Sequence, residues 1–586
     1  MFIKKSFVAG LALFGLAATN APAALSDDDF VEAAWMTTRF YGAQRSGEGP
    51  NWMADGTTYP TSFLKDEYKG QDVSGGWFDC GDHVMFGQTQ GFGAYVLALA
   101  YAEFTEGYYD LYTGDYTDYK ASGDYSRAGG TPNKVRDLLE ELRYEADFWV
   151  KAAPSTTSFV AVKGDGDVDH KNWVTPGKMS TMGTSEGGDP RTMQADTDDA
   201  YSSGMVAAFM AIMARVEPDA ERAAKYLTAA KNAYGYSKTH KSVTTSGGYY
   251  QSGWWDGRTG DGTFLGALEL YRTTKDETYK TEAQTYFSQL KFESGSYSRL
   301  NYANAVPLSV VMGKGVFDWD PTSGNQKNAK DFLDGIYKNQ SSADGIFTKE
   351  TGGGGSFSVR TPSGGAFLYG LYSKFTGTTD YDELIEKNVA YLLGDNSNNK
   401  SYVAGFDRNN AKAPTAVHHR GYYANEDESK NPDSGLKPPA KNKYFGAMIA
   451  GAFNNSGHND KVSSWDENEV CVDINAPMVG ALGYILSKKA PKTDAEIGSP
   501  EPGPSAVSGK IALQSGLKMF GSNGVYVVSN AQKKPFKVEV FDMNGTLVQK
   551  LQSEGRDISF QPKAKGILKV RMTSGSDVTV KSLNNL

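Results

Sequence analysis

Cysteine is nearly absent: Cys80 and Cys471 are the two in 586 residues. Two thiols exclude a disulfide framework and a four-cysteine zinc site. They leave two readings, a pair of buried thiols or a single Cys80–Cys471 bond. Long apolar runs are also missing beyond the start of the chain. The run at residues 7–18 is shorter than the ~20 residues a bilayer span needs. It follows Lys4 and Lys5 and precedes Ala21-Pro22-Ala23, a small-x-small cleavage pattern. Residues 1–23 therefore read as a secretory signal peptide, and the mature protein is expected to be secreted or held at the cell surface. Cations are in deficit, with a formal net charge of −9. A chain of that sign lacks the phosphate-neutralising surface that nucleic-acid binding requires.

What is present is core and aromatic surface. Hydrophobic residues make up 39% and aromatics 12%, which excludes collagen-like and wholly disordered chains. The 34 Tyr and 9 Trp suit a surface that stacks flat ligands. Charge is unevenly spread. Residues 508–586 hold 12 Lys or Arg against 5 Asp or Glu, a local net of +7 that leaves −16 for the remainder. Such a reversal of sign marks two modules with different partners.

Residues 28–488 alternate helical stretches with long Gly-, Asp- and Tyr-rich loops. Residues 94–101 are apolar nearly all round and predict a buried helix. Residues 135–151 place Val135, Leu138, Leu139, Leu142 and Ala146 on one side, and residues 203–216, 263–271 and 383–393 repeat that spacing. An all-α domain with functional loops is expected. Residues 108–125 read as a solvated insertion between helices. Residues 489–506, with Pro491, Pro500, Pro502 and Pro504, read as a Pro-rich linker. After it, residues 525–528, 536–541 and 567–572 alternate with period two and Met543-Asn544-Gly545 marks a turn. Residues 507–586 are thus expected to be a small all-β sandwich.

Three segments carry chemistry. The first is Gly75-Gly76-Trp77-Phe78-Asp79-Cys80-Gly81-Asp82-His83. Two carboxylates three residues apart around a glycine can converge on one water, orient it and take its proton. The competing reading is a metal site built from Asp79, Cys80, Asp82 and His83. The second segment runs from Trp465 to Pro477. Glu469 sits there between Asn468 and Val470, and an apolar wall with neighbouring carboxylates would keep it protonated as an acid. The third is Ser401-Tyr402-Val403-Ala404-Gly405-Phe406 with His418-His419-Arg420 beyond it. These offer donors to sugar hydroxyls and cationic company for a carboxylate.

Together the three segments resemble the catalytic domain of glycoside hydrolase family 9, the inverting cellulases. The resemblance runs from the Tyr41-Gly42-Ala43-Gln44-Arg45-Ser46-Gly47 region to Leu486, and Leu392-Leu393-Gly394 and the segment from Arg360 to Gly365 add weaker matches. It implies an (α/α)6 barrel of twelve helices with an open cleft at one end. By resemblance, Asp82 is the general base, Asp79 the carboxylate that helps hold the attacking water, and Glu469 the general acid. His418 and Arg420 match a substrate-binding His-x-Arg pair, His170 and Trp173 a substrate-contacting segment, and Asp460 and Trp465 the spacing before the acid. The three carboxylates suit inversion, which needs acid and base about 6.5–9.5 Å apart so that a water fits between.

The chain also departs from the family pattern. Ile474 stands where a Tyr is usual, Ser464 replaces an Asp, His458 an aromatic and Val417 a Pro, all of which bear on substrate choice. Tyr250 and Trp254 are expected sugar platforms, beside Tyr249 and Trp255. Ser252, Gly253 and Asp256 resemble a calcium-binding turn, with Gly257 where Glu is frequent. Calcium takes six to eight oxygen ligands, and the chemistry itself is expected to need no cofactor. Residues 507–586 resemble type IX secretion sorting domains through Asn523-Gly524-Val525-Tyr526, the segment from Val540 to Gly545 and that from Gly566 to Val570. The expected activity is secreted endo-β-1,4-glucan hydrolysis by a monomer, with the basic module engaging secretion machinery or the cell surface. The alternatives are a non-catalytic glucan-binding or adhesion protein, and the same fold acting on xyloglucan, mixed-linkage glucan or chitosan-like chains.

Overall fold

A computed structural model describes residues 24–49, 61–111, 133–246, 249, 260–292, 299–321, 327–347, 357–407, 411–414, 416–420, 446–451 and 459–498. Toward the C-terminus it describes 517–522, 525–530, 534–542, 546–555, 557–574 and 577–585. The chain divides into two compact units, Met1–Ser499 and Pro500–Leu586.

Among the described residues of the first unit, twelve longer helices alternate along the chain between an outer and an inner position. The outer six are α1 (Asp27–Ala43), α3 (Asp137–Ala152), α5 (Ala220–Ser237), α7 (Glu277–Gln289), α9 (Ala329–Ile336) and α11 (Asp382–Leu392). The inner six are α2 (Gly87–Glu103), α4 (Tyr201–Val216), α6 (Gly260–Thr274), α8 (Val306–Phe317), α10 (Arg360–Thr376) and α12 (Val472–Lys489). The inner helices pack in a closed ring, α2 on α4, α4 on α6, α6 on α8, α8 on α10, α10 on α12 and α12 back on α2. This is the expected (α/α)6 barrel.

Sequence accounts for which helix goes where. A helix that is apolar all round must be buried, and in α2 every residue from Gly87 to Tyr101 is buried. The outer helix α3 instead has one apolar stripe, with Leu138, Leu139, Leu142 and Ala146 buried and Glu140 and Lys151 outward. Ser26 caps α1 in a reciprocal box with Asp29, and three aspartates in the first turn complement the positive end of the helix. The α4–α6 contact is backbone on backbone. A Cβ on Gly204 would lie 2.4 Å from the Gly262 carbonyl carbon, so the ring closes there because both residues lack a side chain.

An alternating barrel runs all its inner helices in one direction, so the loops entering them collect at one end. A small antiparallel sheet of β1 (Met85–Phe86), β2 (Val160–Lys163) and β3 (Met193–Ala195) lies there, with β2 central, and braces the entry to α2.

The predicted linker begins later than expected. After α12, Lys492 N donates to Glu106 O at 2.7 Å, Thr493 and Glu496 form a capping box on a short helix, and Arg136 pairs with Asp494 at 2.5 Å. A Thr-x-x-Glu box can nucleate a turn in a polar stretch, so residues up to 498 belong with the helical unit.

The second unit holds two antiparallel sheets. One orders β7 (Leu547–Ser553), β6 (Phe536–Phe541), β9 (Gly566–Ser574) and β10 (Asp577–Asn585) side by side. The other orders β8 (Ile558–Phe560), β5 (Val525–Asn530) and β4 (Leu517–Ser522). Alternate residues Val538, Val540, Leu568, Val570 and Met572 join Val528, Phe536 and Phe560 in one apolar cluster.

Candidate active site

A cavity of about 750 Å³ opens at the loop end of the barrel. Its lining follows from the helix geometry. Asp79, Cys80, Asp82 and Phe86 precede α2, Tyr302 precedes α8, Phe357 and Arg360 open α10, and Trp465, Glu469 and Cys471 precede α12. His170, Lys171, Trp173, Tyr249, His418 and Arg420 complete the wall from longer loops. All three predicted carboxylates and all four predicted substrate residues that are described line this one cavity. Tyr250, Trp254, Trp255 and the Ser252, Gly253 and Asp256 turn lie outside the described residues, as do residues 1–23, residues 112–125 of the predicted insertion, and His458.

The first motif folds as a tight turn. Gly75 and Gly76 take positive φ (101° and 77°), which L side chains rarely adopt. A Cβ on Gly81 would sit 2.2 Å from His418 O, so the loop reaches its neighbour because that position is glycine. Asp82 Oδ1 accepts from Val84 N at 2.8 Å, and its Oδ2 lies 3.2 Å from His170 Nε2. Asp79 Oδ1 accepts from the Thr89 hydroxyl. His83 turns away from the cavity and pairs with buried Asp169 at 2.8 Å. With His83 committed there and Cys80 in a disulfide with Cys471, the alternative metal site of Asp79, Cys80, Asp82 and His83 does not form. The two-thiol reading of the cysteines is likewise replaced by the bond. A count of two cysteines carries no distance between them, and the fold brings together residues separated by 391 in sequence.

Glu469 leads into α12 as extended chain. Its carbonyl accepts from Ala450 N at 2.8 Å, and His418 N donates to Asn468 O at 2.9 Å. Burial and the Asp82 charge push its carboxyl up to about 7, against the pull of His170, Arg420 and the Gly81 amide. Burial and an adjacent carboxylate are the two causes expected from the sequence.

Two histidines flank these carboxylates, shifted in opposite directions. Burial works against protonating His170, but Asp82 outweighs it and raises the imidazole above its usual range. Both ring nitrogens have acceptors, Nδ1 facing Gly166 O at 2.6 Å and Nε2 facing Asp82, as an imidazolium requires. Tyr249 stacks on this ring at 4.0 Å. His418 is lowered to about 4 by burial, with Arg420 adding to the effect. It stays neutral near pH 7, its Nδ1–H directed to Val462 O, beside the Trp173 ring. Arg420 is largely committed to the frame. Its guanidinium donates to Asn172 O at 2.9 Å, Gly81 O at 3.1 Å and Asp169 O at 3.5 Å while covering Trp173 at 4.8 Å. It therefore ties the Asp82 loop to the His170 loop.

Ile474 is fully buried in α12 and does not line the cavity. Tyr302, which sequence reasoning did not single out, does. It lies beneath Arg360, whose guanidinium stacks over Tyr302 and Phe357 and pairs with Asp473 at 2.9 Å. Position was the available signal, since each of these residues immediately precedes or opens an inner helix. Asp460 acts locally, accepting from Ala416 N at 2.9 Å. Trp465 is 55% exposed at the cavity wall.

Residues 30–482 match the model of glycosyl hydrolase family 9. Endoglucanase A of Fibrobacter succinogenes is 58% identical over 426 residues, covering 73% of this chain and 94% of that protein. Endoglucanase B of Cellulomonas fimi is 28% identical over 520 residues, covering 83% of this chain and 44% of that one. Among solved structures, the cellulase Cel9M of C. cellulolyticum superposes with TM-score 0.63 at 24% identity, over 79% of this chain and 99% of that one. An endoglucanase from the termite Nasutitermes takasagoensis gives 0.62 at 23%, over 78% and 99%. The barrel, the cavity at its loop end and these matches place the chain in glycosyl hydrolase family 9.

Proposed function

We propose that this family 9 chain is an endo-β-1,4-glucanase that hydrolyses cellulose or related β-glucans with inversion at the anomeric carbon. The observation that carries the mechanism is a carboxyl at about 7, Glu469, in one cavity with the paired aspartates Asp79 and Asp82. Protonated Glu469 gives its proton to the glycosidic oxygen as the bond to the anomeric carbon lengthens. A water on the opposite face of the sugar attacks that carbon. Asp82 takes the water's proton, and Asp79, anchored by Thr89, holds the water's second hydrogen. Attack from the face opposite the leaving group inverts configuration. Solvent then returns a proton to Glu469 and removes one from Asp82. Trp465 offers an exposed flat face to a pyranose ring, while Trp173 and Tyr302 line the wall beneath Arg420 and Arg360. His418 and Arg420 shape the walls, and His170 keeps Asp82 in place.

Proton NMR on a soluble cello-oligosaccharide tests this reading. The α-anomer is expected first; early β-anomer would overturn inversion. Absence of any product would favour the glucan-binding alternative.

The remaining readings rest on sequence. Residues 1–23 direct export, and the protein acts outside the cell or at its surface as a monomer. Residues 507–586 form a basic β-sandwich sorting module, supported by two antiparallel sheets around one apolar cluster. That module attaches the enzyme to secretion machinery or the cell surface, and its deletion should leave the catalytic rate intact while changing where the enzyme accumulates. Calcium at Ser252, Gly253 and Asp256 would be structural, and calorimetry with a chelator tests it.

A further inference from the structure

We propose that the Cys80–Cys471 disulfide is a positioning element for catalysis, fixing the gap between the carboxylates that handle water and the carboxyl that protonates the leaving group. The proposal rests on the assignment of Asp82 and Glu469 as base and acid. Cys80 lies between Asp79 and Asp82, and Cys471 lies two residues after Glu469. The bond therefore joins the two functional segments of the site at their closest covalent reach. Both cysteines line the same cavity while being almost fully buried.

The surrounding contacts explain why a covalent tie matters here. The Glu469 backbone is held from outside the Asp82 loop, by Ala450 N on its carbonyl and by His418 N on the adjoining Asn468 O. Asp79 and Asp82 are held from another side, by Thr89, Val84 and His170. Among the described residues, noncovalent contacts also run close to the bond. Val472 N donates to Asp79 O at 3.0 Å, Arg420 N donates to Gly81 O at 2.9 Å, and the Gly81 amide faces the Glu469 carboxyl. Gln44 Nε2 donates to Cys80 O at 2.9 Å and fixes that end of the bond to α1 and its flank. The barrel itself does not depend on the bond, because α2 and α12 already pack along buried faces. A misplacement of about 1 Å between reacting groups can cost on the order of 100-fold in rate.

The test is the double variant Cys80→Ala/Cys471→Ala in the full chain, with Glu469→Gln in parallel. The double variant should keep the wild-type far-UV spectrum and a KM for soluble glucan within about twofold, because the aromatic walls are untouched. Its kcat should fall at least about tenfold. The alkaline limb of its kcat/KM profile should move to lower pH, because a loosened gap admits water and relieves the burial of Glu469. The charged groups facing Glu469 are Asp82 from the first loop, His170 from the second and Arg420 from the third; His418 faces it as a neutral ring. None is removed by the variant, so a shift reports the gap and not a lost charge. A folded double variant with wild-type kcat and an unmoved limb would overturn the proposal. Loss of the folded state would overturn it too, assigning the bond to stability. Near-wild-type turnover in Glu469→Gln would refute the acid assignment itself. An inactive Glu469→Gln beside a fully active double variant would refute the positioning role alone.

Discussion

Replacing Glu469 with Gln should lower turnover steeply and at the same time stabilise the protein, by an amount set by pH. Its carboxyl stands at about 7 in the folded state against an ordinary 4.5. A raised carboxyl pKa means that the native state binds the proton more tightly than the unfolded chain does. The native state therefore loses stability as pH rises from the unfolded value through the folded one. Below about pH 4.5 both states are protonated and the group costs nothing. Above about pH 7 both are ionised and the full cost applies, about 2–3 kcal/mol once water in the cavity is allowed for. Glutamine has the shape of the protonated acid and never ionises. Urea unfolding should then give equal stabilities for wild type and Glu469→Gln at pH 4.5 and a gap of about 2–3 kcal/mol in favour of the variant at pH 8. Loss of a general acid should cost on the order of 100- to 10,000-fold in kcat. Equal stabilities at pH 8, or a variant destabilised there, would refute the reading of Glu469 as a buried acid held against its own solvation.

Asp82→Asn should lower kcat on the order of 100- to 10,000-fold with KM little changed, and a near-normal rate would remove Asp82 from the base role. His170→Gln deletes an imidazolium that pulls Glu469 down, so the alkaline limb of kcat/KM should move to higher pH, by less than about one pH unit; a downward move would contradict the charge assigned to His170. Trp465→Ala removes an exposed ring from the cavity wall. It should raise KM roughly 5- to 10-fold, about 1 kcal/mol of lost stacking, with kcat held. An unchanged KM on cello-oligosaccharides would take Trp465 out of the binding surface.

The helical barrel was largely legible because burial imposes period. Residues 94–101 are apolar on every side and form the most enclosed part of α2, while the single stripe in 135–151 marks an outer helix. Motif chemistry and the apolar Val470 beside Glu469 picked out three carboxylates that the fold brings to one cavity. What escaped was anything that depends on which distant segments meet. The Cys80–Cys471 bond stayed one of two readings, because a pairing of positions 391 apart needs a distance that no local pattern supplies. Tyr302 and Phe357 carry no motif, and they reach the cavity because they stand just before inner helices. Arg420 was read as a donor to substrate, yet much of its fork is spent on backbone carbonyls of two other loops. A sequence gives the donor inventory of a side chain but not the acceptors that folding will bring to it. The linker was misplaced at its start for a local reason, because the Thr493–Glu496 box was hidden among polar residues.

Under the roles proposed for Glu469 and Asp82, the two cavity histidines give two like groups different surroundings. His170 sits against Asp82, so the charge on the base side is compensated by a neighbouring cation. His418 sits across the strand-like pairing with Glu469, neutral at about 4 because burial and Arg420 forbid a second cation there. Had His418 been charged it would have pulled Glu469 down and released its proton too early. Under the proposed roles, the donor Glu469 stands beside the ring whose pKa is lowered, and the acceptor Asp82 beside the ring whose pKa is raised. Environments that push like groups apart are what assign acid and base. Gly81, whose amide faces Glu469 and whose carbonyl binds Arg420, stands at the boundary between the two environments.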